Sequence, residues 1–265
     1  MRGWIGTVLA AAAGGAIATA TLLGTGMVEP PGAVKSRLSA LPTASAPGAL
    51  TAREIYRRRA PGVVLVTARA LRGGDAATLR VGSGGGVRAR ESAGSGLVLD
   101  DDGLILTNAH VVAAATDIRV TFSGAHTVAA RPVGTDAATD LALLRVEPDD
   151  VALEPLELGD SDALQVGDPI VAIGNPTGLE RTLSTGVVSA RPRQLTGPGG
   201  LVIDDVIQTD AGLDAAASGG PLLDAAGRVV GINALIAGVG FAVPVNTVKA
   251  VIPELERAGR VERAR

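Results

Sequence analysis

The stretch "TDAGLDAAASGGPLLD", residues 209–224, sets Ser218 between a small-residue loop and an apolar run. A serine hydroxyl works as an acyl-transfer nucleophile only under three conditions. A base must take its proton, a carboxylate must orient that base, and N–H donors must receive the oxyanion. The chain has 2 histidines, so the candidates for the base are His110 and His126. His110 lies in "LILTNAHVV", where an apolar strand runs into a small-residue turn and exposes the ring at a strand end. His126, in "FSGAHTVAA", has a polar hairpin setting with nothing to receive it. Taken alone, Ser218 is equally an ordinary turn serine.

Composition narrows the chemistry further. Cysteine is absent, which excludes disulfides, Cys-ligated metal and thiol catalysis. The formal net charge is −3 and no basic block is interleaved with aromatics, so nucleic acid is not an expected partner. Apolar residues make up 46% of the chain but aromatics only 2%, so a core must be built from Val, Leu, Ile and Ala. Acyl transfer by a serine needs no cofactor or metal.

The elements that must position these residues read as β-structure. Short β-prone runs recur at 63–70, 95–100, 103–112, 117–122, 141–146, 169–174, 184–190, 206–210, 221–224, 228–236 and 240–245. Turns such as "DDDG" and "DAAG" separate them, and that spacing predicts a sandwich or barrels. "TAREIYRRRAPG" opens with Thr51 as N-cap and Glu54 three residues on, the pattern of a capping box, and Pro61–Gly62 ends that helix. "NTVKAVIPELERAGRV" closes the chain as an amphipathic helix over about 246–260 capped by Asn246. The Gly- and Arg-rich segment 71–94 is expected to be a mobile surface loop.

Ahead of this lies a different texture. Residues 3–28 are 26 residues without a charge, long enough to cross a bilayer and longer than the apolar core of an ordinary signal peptide. Their richness in Ala and Gly leaves both a membrane anchor and a cleaved signal open. Lys35 and Arg37 follow the segment as closely as Arg2 precedes it, so the positive-inside rule does not orient it. Residues 29–50, rich in Pro, Ala and Ser, read as a linker. Either way residues 51–265 are expected outside the cytoplasm, membrane-bound if the segment is retained and secreted if it is cleaved.

Six phrases carry a family resemblance: "GSGLVLDDDGLILTNAHVV", "VGTDAATDLALLRV", "LGDSDALQVGDPIVAIGNPTGLERTLSTGVVSA", "VIQTDAGLD", "SGGPLLDAAGRVVGIN" and "GVGFAVPVNTVK". In their order and spacing they resemble HtrA/Deg-type trypsin-like serine proteases over nearly all of 53–260. The resemblance implies two six-stranded β-barrels, over about 60–150 and about 160–245, with a C-terminal helix and an active site in the cleft between them. It implies His110 as general base, Asp140 as the carboxylate that orients it and Ser218 as nucleophile. The order His, Asp, Ser is the trypsin-like one. Alone, Asp140 reads as a turn cap before "LALLRV"; the ordered set is what turn chemistry leaves unexplained. By the same resemblance the oxyanion donors are the backbone N–H groups of Ala216 and Ser218, and Leu213, Ile236 and Ala237 border the primary specificity pocket. All three are apolar and Gly212 offers no carboxylate, so a small or medium aliphatic P1 residue is expected rather than a basic one. Polypeptides are the implied substrates, exported or misfolded proteins among them, and relatives that form trimers imply a homo-oligomer.

Two departures from the family pattern matter. Where the family usually reads Asn-Pro-Gly-Asn-Ser-Gly-Gly, this chain reads "DAAASGG" at residues 214–220. Alanine at 216 resists a positive φ by about 1–2 kcal/mol where glycine does not, so the loop is expected to rest with the Ala216 peptide turned away from the cleft. A pseudoprotease that keeps a peptide-binding cleft is the alternative this loop favours, and a non-catalytic envelope scaffold is a weaker third. Second, the sequence ends soon after its last helix, so the PDZ domain many relatives carry is not expected in it.

Overall fold

The computed structural model describes residues 49–71, 89–176, 181–196, 202–236 and 239–261. The chain divides into two compact units, Met1–Ser45 and Ala46–Arg265, and every described residue belongs to the second. The expected membrane or signal segment, most of the linker and most of the 71–94 loop lie outside the described residues. Among the described residues, no helix is long and apolar enough to cross a membrane.

Helix α1 (Ala52–Arg59) starts with the capping box: Glu54 N–H donates to Thr51 Oγ1 at 3.3 Å, and Thr51 N–H donates to Glu54 Oε2 at 2.9 Å. A 3-10 turn over Ala60–Gly62 then leads into the first barrel. Its strands are β1 (Val63–Leu71), β2 (Ala89–Val98), β3 (Leu104–Asn108), β4 (Asp117–Thr121), β5 (Thr127–Asp136) and β6 (Leu141–Arg145). They close antiparallel in the order β1-β2-β3-β6-β5-β4. The second barrel, β7 (Pro169–Gly174), β8 (Thr182–Thr196), β9 (Val202–Thr209), β10 (Pro221–Leu223), β11 (Val229–Ile236) and β12 (Val239–Pro244), closes as β10-β11-β12-β9-β8-β7. Two closed six-stranded barrels followed by a helix make this the trypsin-like fold.

Strand periodicity explains why the key runs are apolar without alternation. In β3, Ile105 faces the first barrel's interior beside Val64, Val120 and Leu144, while Leu104 and Leu106 face a second cluster. That second cluster also takes Leu141 and Leu143 of β6, Val171 and Ile173 of β7 and Ile232 of β11, so it fills the seam between the barrels. Ile170 and Ala172 of β7 turn the other way, into the second barrel. Strands with both faces buried carry apolar residues at every position.

Helix α3 (Val245–Ala258) follows β12 and lays Val245, Val248, Val251 and Leu255 on the seam cluster. It ends at Gly259 in the left-handed region, φ 70°, whose N–H donates to Leu255 O at 2.9 Å. Gly259 O in turn accepts from Thr135 N–H at 3.1 Å, which fastens the helix end to β5 of the first barrel. The expected cap, Asn246, does not cap: Pro244 holds the N-cap position. Asn246 instead lies inside the helix and donates through Nδ2 to Asp160 Oδ1 at 2.8 Å.

Two other expectations change in detail. The run at 103–112 is not β throughout: β3 stops at Asn108, and the turn that carries His110 is a single helical one, α2 (Ala109–Val112). β2 begins at Ala89, inside the stretch read as loop, because its first residues pair with the end of β1 (Leu71↔Ala89, Ala70↔Arg90).

The Asn246 contact has a measurable pH signature. The Asn246 amide and then the Asp162 N–H hold the Asp160 carboxyl below its ordinary range. A carboxyl depressed in the folded state contributes stability that is present above the unfolded value and is lost as pH falls through the folded one. Asn246→Ala is therefore expected to be less stable than the parent near pH 7. The difference should shrink as pH falls below about 4, the ordinary aspartate range, in urea-unfolding midpoints followed across that interval.

Candidate active site

The pairing of β3 with β6 brings the base and its carboxylate together. Asn108 pairs with Leu141, so His110, two residues past the end of β3, and Asp140, one residue before β6, meet at the same edge. Asp140 sits in the left-handed region at φ 56°, which aspartate tolerates better than most residues. In that conformation its backbone carbonyl accepts from Ala109 N–H at 3.0 Å and Asn108 Nδ2 at 2.9 Å. Its carboxylate spans His110: Oδ1 accepts from the His110 backbone N–H at 2.9 Å, and Oδ2 lies 2.6 Å from Nδ1. A carboxylate against Nδ1 fixes the tautomer with the proton there, which leaves the Nε2 lone pair free to accept a proton. The Asp140 side chain is 12% exposed and that of His110 54%, so the carboxylate is sheltered while the ring meets solvent.

Ser218 follows a 3-10 turn, Ala215–Ala217, and precedes β10. It is buried, and its carbonyl accepts from Ser95 N–H of β2 at 2.8 Å, a contact across the barrel seam. Next to it Gly219 takes φ 88°; a Cβ there would stand 2.1 Å from Ser95 O, so only glycine fits. Ser218 Oγ accepts from Leu235 N–H at 3.1 Å. Among the described residues no hydrogen bond joins it to the His110 ring. Such bonds commonly form only once substrate is bound.

Comparisons with known proteins agree with the two-barrel fold. The family description "Trypsin-like peptidase domain" matches residues 94–232. Protease Do-like 1, chloroplastic, of Arabidopsis thaliana is 42% identical over 217 residues, covering 79% of this chain and 48% of that protein. A probable periplasmic serine endoprotease DegP-like of Pseudomonas fulva (strain 12-X) is 41% identical over 189 residues, 69% of this chain and 38% of that one. The solved structure of HtrA-type protease AlgW with decapeptide superposes with a TM-score of 0.64 at 32% identity, over 80% of this chain and 69% of that one. The chain belongs to the HtrA/Deg type of trypsin-like peptidases. It spans less than half the length of these two curated relatives.

In this HtrA/Deg-type chain the loop before Ser218 has a particular geometry. Ala216 is not among the residues with positive φ. Ser218 N–H, one of the two expected oxyanion donors, donates instead to Ala215 O at 3.3 Å and closes the 3-10 turn. Asp214 caps that turn, its Oδ1 accepting from Ala217 N–H at 2.8 Å. Asp214 was not singled out from the sequence, although an Asx residue three positions before a turn amide is the ordinary N-cap signature.

The remaining expected residues fall as follows. Leu213 is half-buried on the second barrel's interior cluster, and a Cβ on Gly240 would stand 3.2 Å from its Cδ1. Ile236 ends β11, and Ala237 lies outside the described residues. His126 is exposed in the β4–β5 turn, beside a depression of about 510 Å³ lined also by Pro61, Phe122, Ser123 and Glu154. Neither Asp140 nor Ser218 borders that depression. Among the described residues no group of three or more His, Asp or Glu side chains could hold a metal ion.

Proposed function

We propose that the protein is a serine endopeptidase that cleaves polypeptides through an acyl-enzyme. The observation that carries this reading is the His110–Asp140 pair, with both carboxylate oxygens engaged and Nε2 left as the free base, on the barrel seam that also holds buried Ser218. Nε2 of His110 takes the Ser218 proton as Oγ attacks the scissile carbonyl, and Asp140 stabilises the imidazolium that forms. The tetrahedral oxyanion is received by the N–H groups of Ser218 and Ala216. Collapse expels the amine, protonated by His110, and water activated by the same ring hydrolyses the ester. Leu213, Ile236 and Ala237 favour a small or medium aliphatic P1 side chain. Labelling by a fluorophosphonate, lost in Ser218→Ala, tests the reading; absence of labelling in both the parent and Ala216→Gly overturns it.

One observation favours a second reading, a pseudoprotease whose cleft binds peptide without cutting it: Ser218 N–H is already occupied by Ala215 O. Peptide binding without labelling in either the parent or Ala216→Gly would establish that reading instead.

The uncharged stretch at 3–28 and the periplasmic relative from Pseudomonas fulva support an exported enzyme. Residues 3–28 are proposed to hold it at the membrane, so the chain should sediment with membranes, and a chain starting near Thr51 should be soluble and folded. A membrane-free mature chain beginning within residues 20–50 would replace the anchor with a cleaved signal.

A further inference from the structure

We infer that Ser95 is a positioning residue for the nucleophile: it pins the loop before Ser218, on the second barrel, to strand β2 of the first. Ser95 is fully buried, at 0% exposure. Its hydroxyl donates to Ala216 O at 2.6 Å and accepts from Asn175 N–H, just past β7, at 2.8 Å. Its own carbonyl accepts from Thr107 Oγ1 at 2.7 Å, and its N–H donates to Ser218 O. Every polar group of this one residue is thus used, and two of them end on the nucleophile loop.

The loop's peptides divide into held and free. The Ala216–Ala217 peptide is held at both ends, its carbonyl by Ser95 Oγ and its N–H by Asp214. The Ala217 carbonyl accepts from Gly220 N–H at 3.0 Å, and the Ser218 carbonyl is held by Ser95. What remains is the Ala215–Ala216 peptide, whose oxygen occupies the Ser218 N–H. Turning that one peptide, through ψ of Ala215 and φ of Ala216, frees the Ser218 N–H and swings the Ala216 N–H toward the cleft. Because Ser95 fixes the neighbouring peptide, the turn need not displace Ser218. β2 pairs with β3, the strand that leads to His110, so the same hydroxyl sets the spacing between nucleophile and base. Asp140 and His110 sit on one barrel and Ser218 on the other; Ser95 is where the side chains of the first reach the loop of the second.

This inference rests on Ser218 being the nucleophile, and its test separates the two. Fluorophosphonate labelling rates and steady-state kinetics on an aliphatic-P1 peptide ester are measured in the full chain for the parent, Ser95→Ala, Ala216→Gly and the double variant. Ser95→Ala is expected to lower kcat by about 10²-fold, the cost of a misplacement of about 1 Å, with KM little changed. The gain from Ala216→Gly is expected to disappear largely in the Ser95→Ala background, a non-additivity that mere loss of stability does not produce. Should Ser95→Ala fail to fold, Ser95→Cys, with similar volume and a weaker donor, takes its place in the same cycle. Parental rates in the Ser95 variant, or strictly multiplicative effects, overturn the role of Ser95 alone. Absence of labelling in both the parent and Ala216→Gly overturns the nucleophile reading and this one with it.

Discussion

Ser218→Ala and His110→Ala should each remove essentially all turnover, a fall on the order of 10⁴–10⁶-fold, and the double variant should lose no more. The reason for the shared floor is that neither group works alone. Without the imidazole the buried hydroxyl has no proton acceptor, and without the hydroxyl the imidazole has nothing to activate. Asp140→Asn should cost about 10⁴-fold for a different reason. Its side chain can still accept from the His110 backbone N–H, but an amide nitrogen now facing Nδ1 donates a proton there and moves the ring proton to Nε2. That is the wrong tautomer for a base. Because Asp140 also organises the β3–α2 junction, its variant needs a stability control by thermal unfolding. His110 is half exposed and its loss should leave the fold intact. His126→Ala should leave the acylation rate unchanged, since its ring lies beside a surface depression that neither Asp140 nor Ser218 borders. An equal loss from His126→Ala in single-turnover acylation would mean that the wrong histidine has been placed in the mechanism.

The parts of this architecture that could be read from the sequence are those whose residues face only one kind of surroundings. β3, β6 and β7 stand out as unbroken apolar runs because each is buried on both faces. The α1 capping box is legible because its hydrogen bonds are local, three residues apart. β5 is not legible: only two of the ten residues of "TVAARPVGTD" are buried, and its register against β6 shifts between Pro132 and Gly134, so no apolar run marks it. Asn246 fails as a cap because its amide is drawn to Asp160, 86 residues away, a tertiary partner that no local rule foresees. The same distinction runs through the site. His110 and Ser218 are legible through the ordered phrases that carry the family resemblance, since each taken alone has an ordinary structural reading. Ser95, in "SAGSGLV", looks like any small residue of a strand, and its three cross-barrel bonds exist only once both barrels have closed. The alanines are a mixed case: their reluctance toward positive φ is intrinsic, whereas the Asp214 cap and the Ala215–Ser218 bond that stabilise the alternative appear only in three dimensions.

Ala216→Gly should speed acylation by up to about 10²-fold while changing the binding of uncleaved peptide little. In the resting loop Ser218 N–H is bonded to Ala215 O, so one oxyanion donor is consumed before substrate arrives. That bond is long, at 3.3 Å, and is a weak restraint by itself. The larger obstacle is the alanine. If turning the Ala215–Ala216 peptide carries residue 216 to positive φ, a Cβ costs about 1–2 kcal/mol, or about 5–30-fold in rate at 1.36 kcal/mol per tenfold. Glycine removes that cost. The rest of the expected gain comes from a donor held in place when charge develops on the oxygen, an interaction made in the transition state and hardly at all with the ground-state carbonyl. For this reason the gain belongs in kcat rather than KM. Ala217→Asn should gain less, since it adds side-chain packing and no donor. The comparison is of acylation rates for the parent, Ala216→Gly and Ala217→Asn on one aliphatic-P1 substrate. A parent that already turns over briskly, with nothing added by glycine, would show that bound peptide opens the loop despite its alanine. The strain at residue 216 would then be too small to govern the reaction.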